Sequence, residues 1–256
     1  MTGRLIRVGQ IVPSSNTTME TEIPAMLRAR EAIAPERFTL HSSRMRMQKV
    51  TKEELQAMDR DSDRCARELS DARVDVLGYA CLVAIMSMGK GYHRESERRL
   101  GEVVVENGGL APVVTSAGAL IHGLKTIGAR RVALIAPYMK ALTGLVIEYI
   151  EHEGIEVVDS VSLEIPDNRD VGARDPLAPA EIWKRLDVRR ADAIVASACV
   201  QMPSLASVPL IERASGLPVL TAATCTAFQI LQRLSLEPIV PQAGRLLSGE
   251  YAARAA

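Results

Sequence analysis

Two cysteines at the ends of matching apolar runs are the residues of this 256-residue chain best suited to chemistry. Val74-Asp75-Val76-Leu77-Gly78-Tyr79-Ala80-Cys81 is echoed, one residue longer, by Ala191-Asp192-Ala193-Ile194-Val195-Ala196-Ser197-Ala198-Cys199. A cysteine where a buried strand gives way to a loop or helix has backbone N–H groups directed at it. These can lower a thiol pKa from its free value of about 8.5. One such cysteine reads equally well as a small buried hydrophobe. Two in equivalent positions favour a shared chemical task. Cys65 and Cys225 lie inside helical patterns and keep the structural reading. No C-x-x-C pair occurs and no cysteine sits at metal-ligand spacing from a histidine, so no metal is expected. In a reducing cytosol all four should be free thiols.

The elements that position these thiols are also repeated. Arg7-Val8-Gly9-Gln10-Ile11-Val12-Pro13 recurs as Arg131-Val132-Ala133-Leu134-Ile135-Ala136-Pro137, and Pro112-Val113-Val114-Thr115 as Pro218-Val219-Leu220-Thr221. Self-similarity on this scale, too long for a solenoid, describes a duplicated α/β half whose corresponding strand ends face each other across a cleft. Strand-like runs fall near residues 5–12, 38–43, 73–79 and 111–115, then near 130–136, 155–163, 191–197 and 217–221. Helical stretches alternate with them. Thr51 to Glu54 has a capping-box pattern opening an amphipathic helix to about Asp71, and its counterpart runs from about Ala180 through Trp183 to Asp187. The expected fold is α/β: two pseudo-symmetric halves, each a four-stranded parallel sheet flanked by helices, with the active site in the cleft between them. Residues 1–115 plus 222–256 form the first half, the tail packing back on it, and residues 116–221 form the second.

Composition agrees with this plan. Apolar residues make up 47% with only 3% aromatic, so the interior is aliphatic, as in parallel sheets buried on both faces. Thirty-one basic residues balance thirty-one acidic ones, which removes the electrostatic footprint of a nucleic-acid or membrane-surface binder and leaves a small molecule as the expected partner. The N-terminus, Met1-Thr2-Gly3-Arg4-Leu5-Ile6-Arg7, is interrupted by charge and runs into the first strand, so no signal peptide is read there. No apolar run approaches the roughly 20 residues of a membrane span. A cytoplasmic protein is expected.

Three polar positions accompany the strand ends. Pro13-Ser14-Ser15-Asn16-Thr17-Thr18-Met19-Glu20 offers donors where an anion can bind, or an ordinary helix cap. Tyr138, after Pro137, is a hydrogen-bond donor or a ring covering a helix end, and Asn168 a ligand contact or an Asx turn. His41, Arg44 and Arg46 come at or after the second strand, where they either help attract an anionic substrate or form an exposed rim; His93, His122 and His152 lie in helical contexts at the surface or core edge.

Together, Val12-Pro13-Ser14-Ser15-Asn16-Thr17-Thr18-Met19-Glu20, Tyr79-Ala80-Cys81-Leu82-Val83-Ala84 and Ser197-Ala198-Cys199-Val200-Gln201 resemble the maleate cis-trans isomerase family, a branch of the Asp/Glu racemase superfamily, across essentially the whole chain. The resemblance implies the two-half fold, a homodimer, no cofactor, and service in nicotinate or related aromatic degradation. It also implies that Cys81 is the nucleophile and Cys199 the second, proton-handling cysteine. Asn16, Tyr138 and Asn168 match the family's substrate-carboxylate contacts, and backbone groups around Leu82, Val83, Val200 and Gln201 complete the pocket. The expected reaction is maleate to fumarate through a succinyl-cysteine, because rotation about a double bond requires its temporary conversion to a single bond, which covalent addition achieves. Leu82 and Val200 depart from the polar residues that follow each cysteine in the related amino-acid racemases. That demotes, without removing, a racemase or arylmalonate-type decarboxylase using the same thiols. A third reading is a non-catalytic dicarboxylate-binding module, which needs the donors but not the thiols.

Overall fold

The computed structural model describes residues 3–48 and 50–251. Met1 and Thr2, where the leader was considered, and residues 252–256 of the tail lie outside the described residues. Up to residue 115 the chain runs β1 (Leu5–Pro13), α1 (Met19–Glu31), β2 (Arg37–Met45), α2 (Lys52–Asp71), β3 (Val76–Tyr79), α3 (Leu82–Ser87), α4 (Tyr92–Glu106) and β4 (Val113–Thr115). Residues 116–221 hold α5 (Ser116–Thr126), β5 (Arg131–Ala136), α6 (Lys140–His152), β6 (Glu156–Ser162), α7 (Asn168–Gly172), α8 (Pro179–Ile182), β7 (Ala193–Ser197), α9 (Val208–Ser215) and β8 (Val219–Thr221), and α10 (Ala222–Arg233) follows.

Each half holds a four-stranded parallel sheet, and the orders β2-β1-β3-β4 and β6-β5-β7-β8 are the same path traced twice. Central strands β1, β3, β5 and β7 are buried almost throughout, as aliphatic strands between helices on both faces should be. The duplication extends to single hydrogen bonds. Asp75 accepts the Arg7 N–H at 2.7 Å and Asp192 accepts the Arg131 N–H at 2.9 Å. Beside the cysteines, the Ala80 N–H donates to the Ile11 carbonyl at 2.8 Å and the Ala198 N–H to the Ile135 carbonyl at 2.9 Å. Thr115 and Thr221 cap α5 and α10, each hydroxyl accepting a backbone N–H three residues on at 3.0 Å. Those two helices pack on each other, and α10 also packs on α1, β3 and β4.

The halves differ where the second amphipathic helix was expected. The Thr51 hydroxyl accepts the Glu54 N–H and starts the 20-residue α2. Its counterpart is only the single turn α8 with a 3-10 turn over Trp183–Arg185. Leu186 then turns extended and buries its side chain, while Asp187 takes the Arg189 N–H in a local turn, so the helix cannot continue. Among the described residues, no helix is long and apolar enough to cross a membrane.

The α5–α10 contact depends on Gly123, where an added Cβ would lie 2.8 Å from the Cys225 sulfur. Gly123→Ala should therefore destabilise the fold by about 1–3 kcal/mol through overpacking. Adding Cys225→Ala should restore part of that loss, measured as the urea midpoint of the double variant against the single one; a double variant weaker than Gly123→Ala would show that the sulfur is not the obstacle.

Candidate active site

The two cysteines leave equivalent strands and enter different surroundings. Cys81 caps the six-residue α3 in an extended conformation, with its sulfur accepting the Ala84 N–H. Cys199 is followed by a turn, not a helix; its sulfur accepts the Gln201 N–H at 3.3 Å, the Met202 N–H and the Tyr138 hydroxyl. Tyr138 arrives from the end of β5 and is buried.

Both cysteines line one small cavity of about 20 Å³, together with Asn16, Leu82, Val83, Tyr138, Asn168, Val200 and Gln201. All nine residues singled out from the sequence thus come together. Pro13 and Ala80 line it too, as do Met47 and Val50 from the β2–α2 connection, which sequence reasoning missed because attention there fell on the charged Arg44 and Arg46. Among the described lining residues none is charged; Lys49, between Met47 and Val50, lies outside the described residues. The volume suits about one water molecule. Val50, Tyr138 and Asn168 form the wall shared with a neighbouring cleft of about 370 Å³. A larger groove of about 740 Å³, beside α1 and residues 203–206, contains none of the nine.

The polar residues resolve their double readings. Asn16 does both jobs: its carbonyl oxygen accepts the Met19 N–H at 3.1 Å, while its amide nitrogen donates to the Val200 carbonyl at 3.4 Å on the cavity wall. Asn168 donates to the Ser15 hydroxyl at 2.8 Å, and the Asx turn belongs to its neighbour Asp167, which accepts the Arg169 N–H. Arg44 donates to the Ser14 and Asn16 carbonyls at 3.0 and 3.1 Å and pairs with Glu20, so it buttresses the Asn16 turn. His41 meets Thr39, and Arg46 is exposed; neither lines the cavity. Cys65 and Cys225 are fully buried in α2 and α10, away from it.

Comparison with known proteins agrees with this geometry. The family described as arylmalonate decarboxylase matches residues 8–247. The maleate isomerase of Geobacillus stearothermophilus is 64% identical over 96% of this chain and 98% of its own. A crystal structure of a cysteine-to-alanine variant of the maleate isomerase from Pseudomonas putida S16, with maleate, is 60% identical with a TM-score of 0.95, over 96% of this chain and 98% of that one. The chain belongs to the maleate isomerase family. A cysteine-to-serine variant of the family's Nocardia farcinica member, solved with a covalently bound succinylcysteine intermediate, is 45% identical with a TM-score of 0.91, covering 95% of this chain and 98% of that chain.

In this maleate isomerase family member, burial overrides the helix N–H groups that sequence reasoning credited with lowering the Cys81 pKa. Loss of solvent pushes the Cys81 thiol up to about 12; the Ala84 N–H opposes the shift and the neighbouring Cys199 adds to it. Burial raises Cys199 as well, against the Tyr138 hydroxyl and the Gln201 and Met202 N–H groups. Cys199 thus has three donors for an anion where Cys81 has one. Among the described residues, no group of three or more His, Cys, Asp or Glu is placed to hold a metal ion.

Alkylation should report this balance. Because a raised pKa keeps the thiol neutral, iodoacetamide labelling of Cys81 in the unliganded protein should stay slow at pH 7 and climb as pH rises toward about 12. A rate already level by pH 8 would contradict it. Tyr138→Phe removes a donor that lowers the Cys199 pKa, so Cys199 labelling at pH 8, followed by peptide mass spectrometry, should slow.

Proposed function

We propose that the protein interconverts maleate and fumarate, with Cys81 as nucleophile and Cys199 as the group that moves the proton. The observation that carries this reading is that both cysteines line one small cavity whose described lining residues are all uncharged. Maleate in the Pseudomonas putida structure and the succinylcysteine in the Nocardia farcinica structure support it from relatives that span nearly the whole chain.

The donor count on each sulfur sets the sequence of steps. Burial keeps both thiols neutral at rest; the reacting form is the minor one in which the pair has lost a proton and Cys199 carries the charge, favoured by the Tyr138 hydroxyl and two N–H groups. As the Cys81 sulfur bonds to one alkene carbon, its proton passes to Cys199. The electron pair of the double bond moves to the other carbon and into its carboxylate, and that carbon takes the proton from Cys199. A succinyl thioether now sits on Cys81, joined through a carbon–carbon single bond that can turn. Cys199 then removes the same hydrogen, the carbon–sulfur bond breaks, fumarate leaves and the proton returns to Cys81. No electron or proton is gained or lost overall.

A dianion beside a thiolate is repelled by about 4 kcal/mol per pair of charges at 4 Å and an effective dielectric near 20. Among the described lining residues, neutral donors offset this. Asn16 and Asn168 supply amides, Tyr138 a hydroxyl, and the first N–H groups of α3, at Leu82 and Val83, lack acceptors within the helix.

The proposal extends to the features that the resemblance implies: no cofactor, a cytoplasmic homodimer, and a place in nicotinate or related aromatic degradation. The proposed division into residues 1–115 plus 222–256 and 116–221 draws on the packing of α10 against α1, β3 and β4, while α10 also packs on α5 and β8 of the other part.

Turnover followed by NMR should give fumarate from maleate, with Cys81→Ser nearly inactive because an alcohol is a far weaker nucleophile at neutral pH. Asn16→Ala should lower kcat/KM by about 10² to 10³-fold. Intact-protein mass spectrometry with maleate, followed by peptide mapping, should place a one-maleate adduct on Cys81. An adduct confined to Cys65 or Cys225 would overturn the assignment. So would exchange of the aspartate or glutamate α-hydrogen in D₂O with maleate left untouched, which would favour the racemase. Unchanged ligand affinity and function in Cys81→Ser and Cys199→Ser would favour the binding module.

A further inference from the structure

We infer that the Gln201 side chain is a positioning residue that locks the two halves together beside Cys199, and that Gly172 is side-chain-free to admit it. This rests on the isomerase reading and adds to it a role for a side chain that touches protein rather than substrate. Gln201 is 2% exposed, and its amide is fully engaged. The carbonyl oxygen accepts the N–H groups of Thr17 and Thr18 at 3.0 and 3.4 Å, while the nitrogen donates to the carbonyls of Ser15 and Asn168, both at 3.0 Å. Its main chain continues the lock: its carbonyl accepts the Thr18 hydroxyl at 2.6 Å, and its N–H donates to the Cys199 sulfur.

An amide has two donor hydrogens and two principal acceptor positions, so four protein partners leave nothing for a substrate. Those partners belong to the turn that carries Asn16 and to the first residue of α7, Asn168 itself. One side chain therefore sets the spacing between both carboxylate-contact candidates and the proton-moving cysteine. The second observation is Gly172, where an added Cβ would lie 2.4 Å from the Gln201 amide nitrogen. A methyl group there has to displace the lock.

The test compares wild type with Gln201→Leu, Gln201→Glu and Gly172→Ala by maleate kinetics, thermal melting and hydrogen exchange of the Thr17 and Thr18 amides. Gln201→Leu should lower kcat by about 10²-fold, the scale of a small misplacement of reacting groups, with a smaller change in KM. Both threonine amides should exchange faster. Gln201→Glu turns the donor end into an acceptor facing two carbonyls, so its activity relative to wild type should recover as pH falls and the carboxyl gains a proton. Gly172→Ala should impair the wild type but add little to Gln201→Leu, because both act through one contact.

Wild-type kcat in Gln201→Leu would overturn the inference. So would a rise in KM alone with unchanged exchange at Thr17 and Thr18, which would make Gln201 a substrate contact. If Gln201→Leu does not fold, Gly172→Ala and Gln201→Glu are judged by the same criteria. If wild type leaves maleate unchanged, the functional reading fails separately, and the lock stands or falls on threonine exchange.

Discussion

The cost of placing a negative charge on a buried sulfur governs the rest of the cleft. Burial disfavours the anion on both Cys81 and Cys199, and the neighbouring Cys199 raises that cost further for Cys81. Such a pair titrates together rather than as two independent thiols. The surrounding donors decide its resting distribution, with three on Cys199 and one on Cys81. An arginine in the wall would hold carboxylates more firmly, but cis and trans diacids carry the same charge. Tight binding of both ground states does not speed the step between them. The neutral donors among the described lining residues can act where charge develops.

The asymmetry grows from a symmetric frame. Asp75 and Asp192 bracket the starts of β1 and β5 alike, and Ala80 and Ala198 fix the backbone just before each sulfur with equivalent bonds. Past that point the chains diverge. After Cys81 a helix begins at once, with Leu82, Val83 and Ala84 as its first turn; after Cys199 the chain makes a tight turn that brings the Gln201 and Met202 N–H groups onto the sulfur. Duplication thus sets where the sulfurs are, and the next three residues set what each can do.

Most of this was legible in the sequence because it depends on short-range pattern. All eight expected strands are present, most of them along aliphatic runs, and Thr51, Thr115 and Thr221 stand at helix starts where a hydroxyl can accept a free N–H. The internal repeat singles out Cys81 and Cys199, and the resemblance to maleate isomerases supplies the other seven residues that line the cavity with them. What escaped depends on three-dimensional context. Met47 and Val50 lie in an irregular connection with no periodicity to mark them. The stretch from Ala180 to Asp187 has helical composition, yet burial of Leu186 ends the helix early. The direction of the thiol pKa shift was misjudged because helix N–H groups are visible in a motif, whereas the loss of solvent that outweighs them arises only when both halves close around the cavity.

The enclosure has a consequence for chemical durability. Peroxide oxidises a sulfur to the extent that it is ionised and accessible. Cys81 and Cys199 are each 5% exposed with raised pKa values, so the closed molecule offers an oxidant little of either. Oxidation of either sulfur thus requires both exposure and ionisation, and burial opposes the two together.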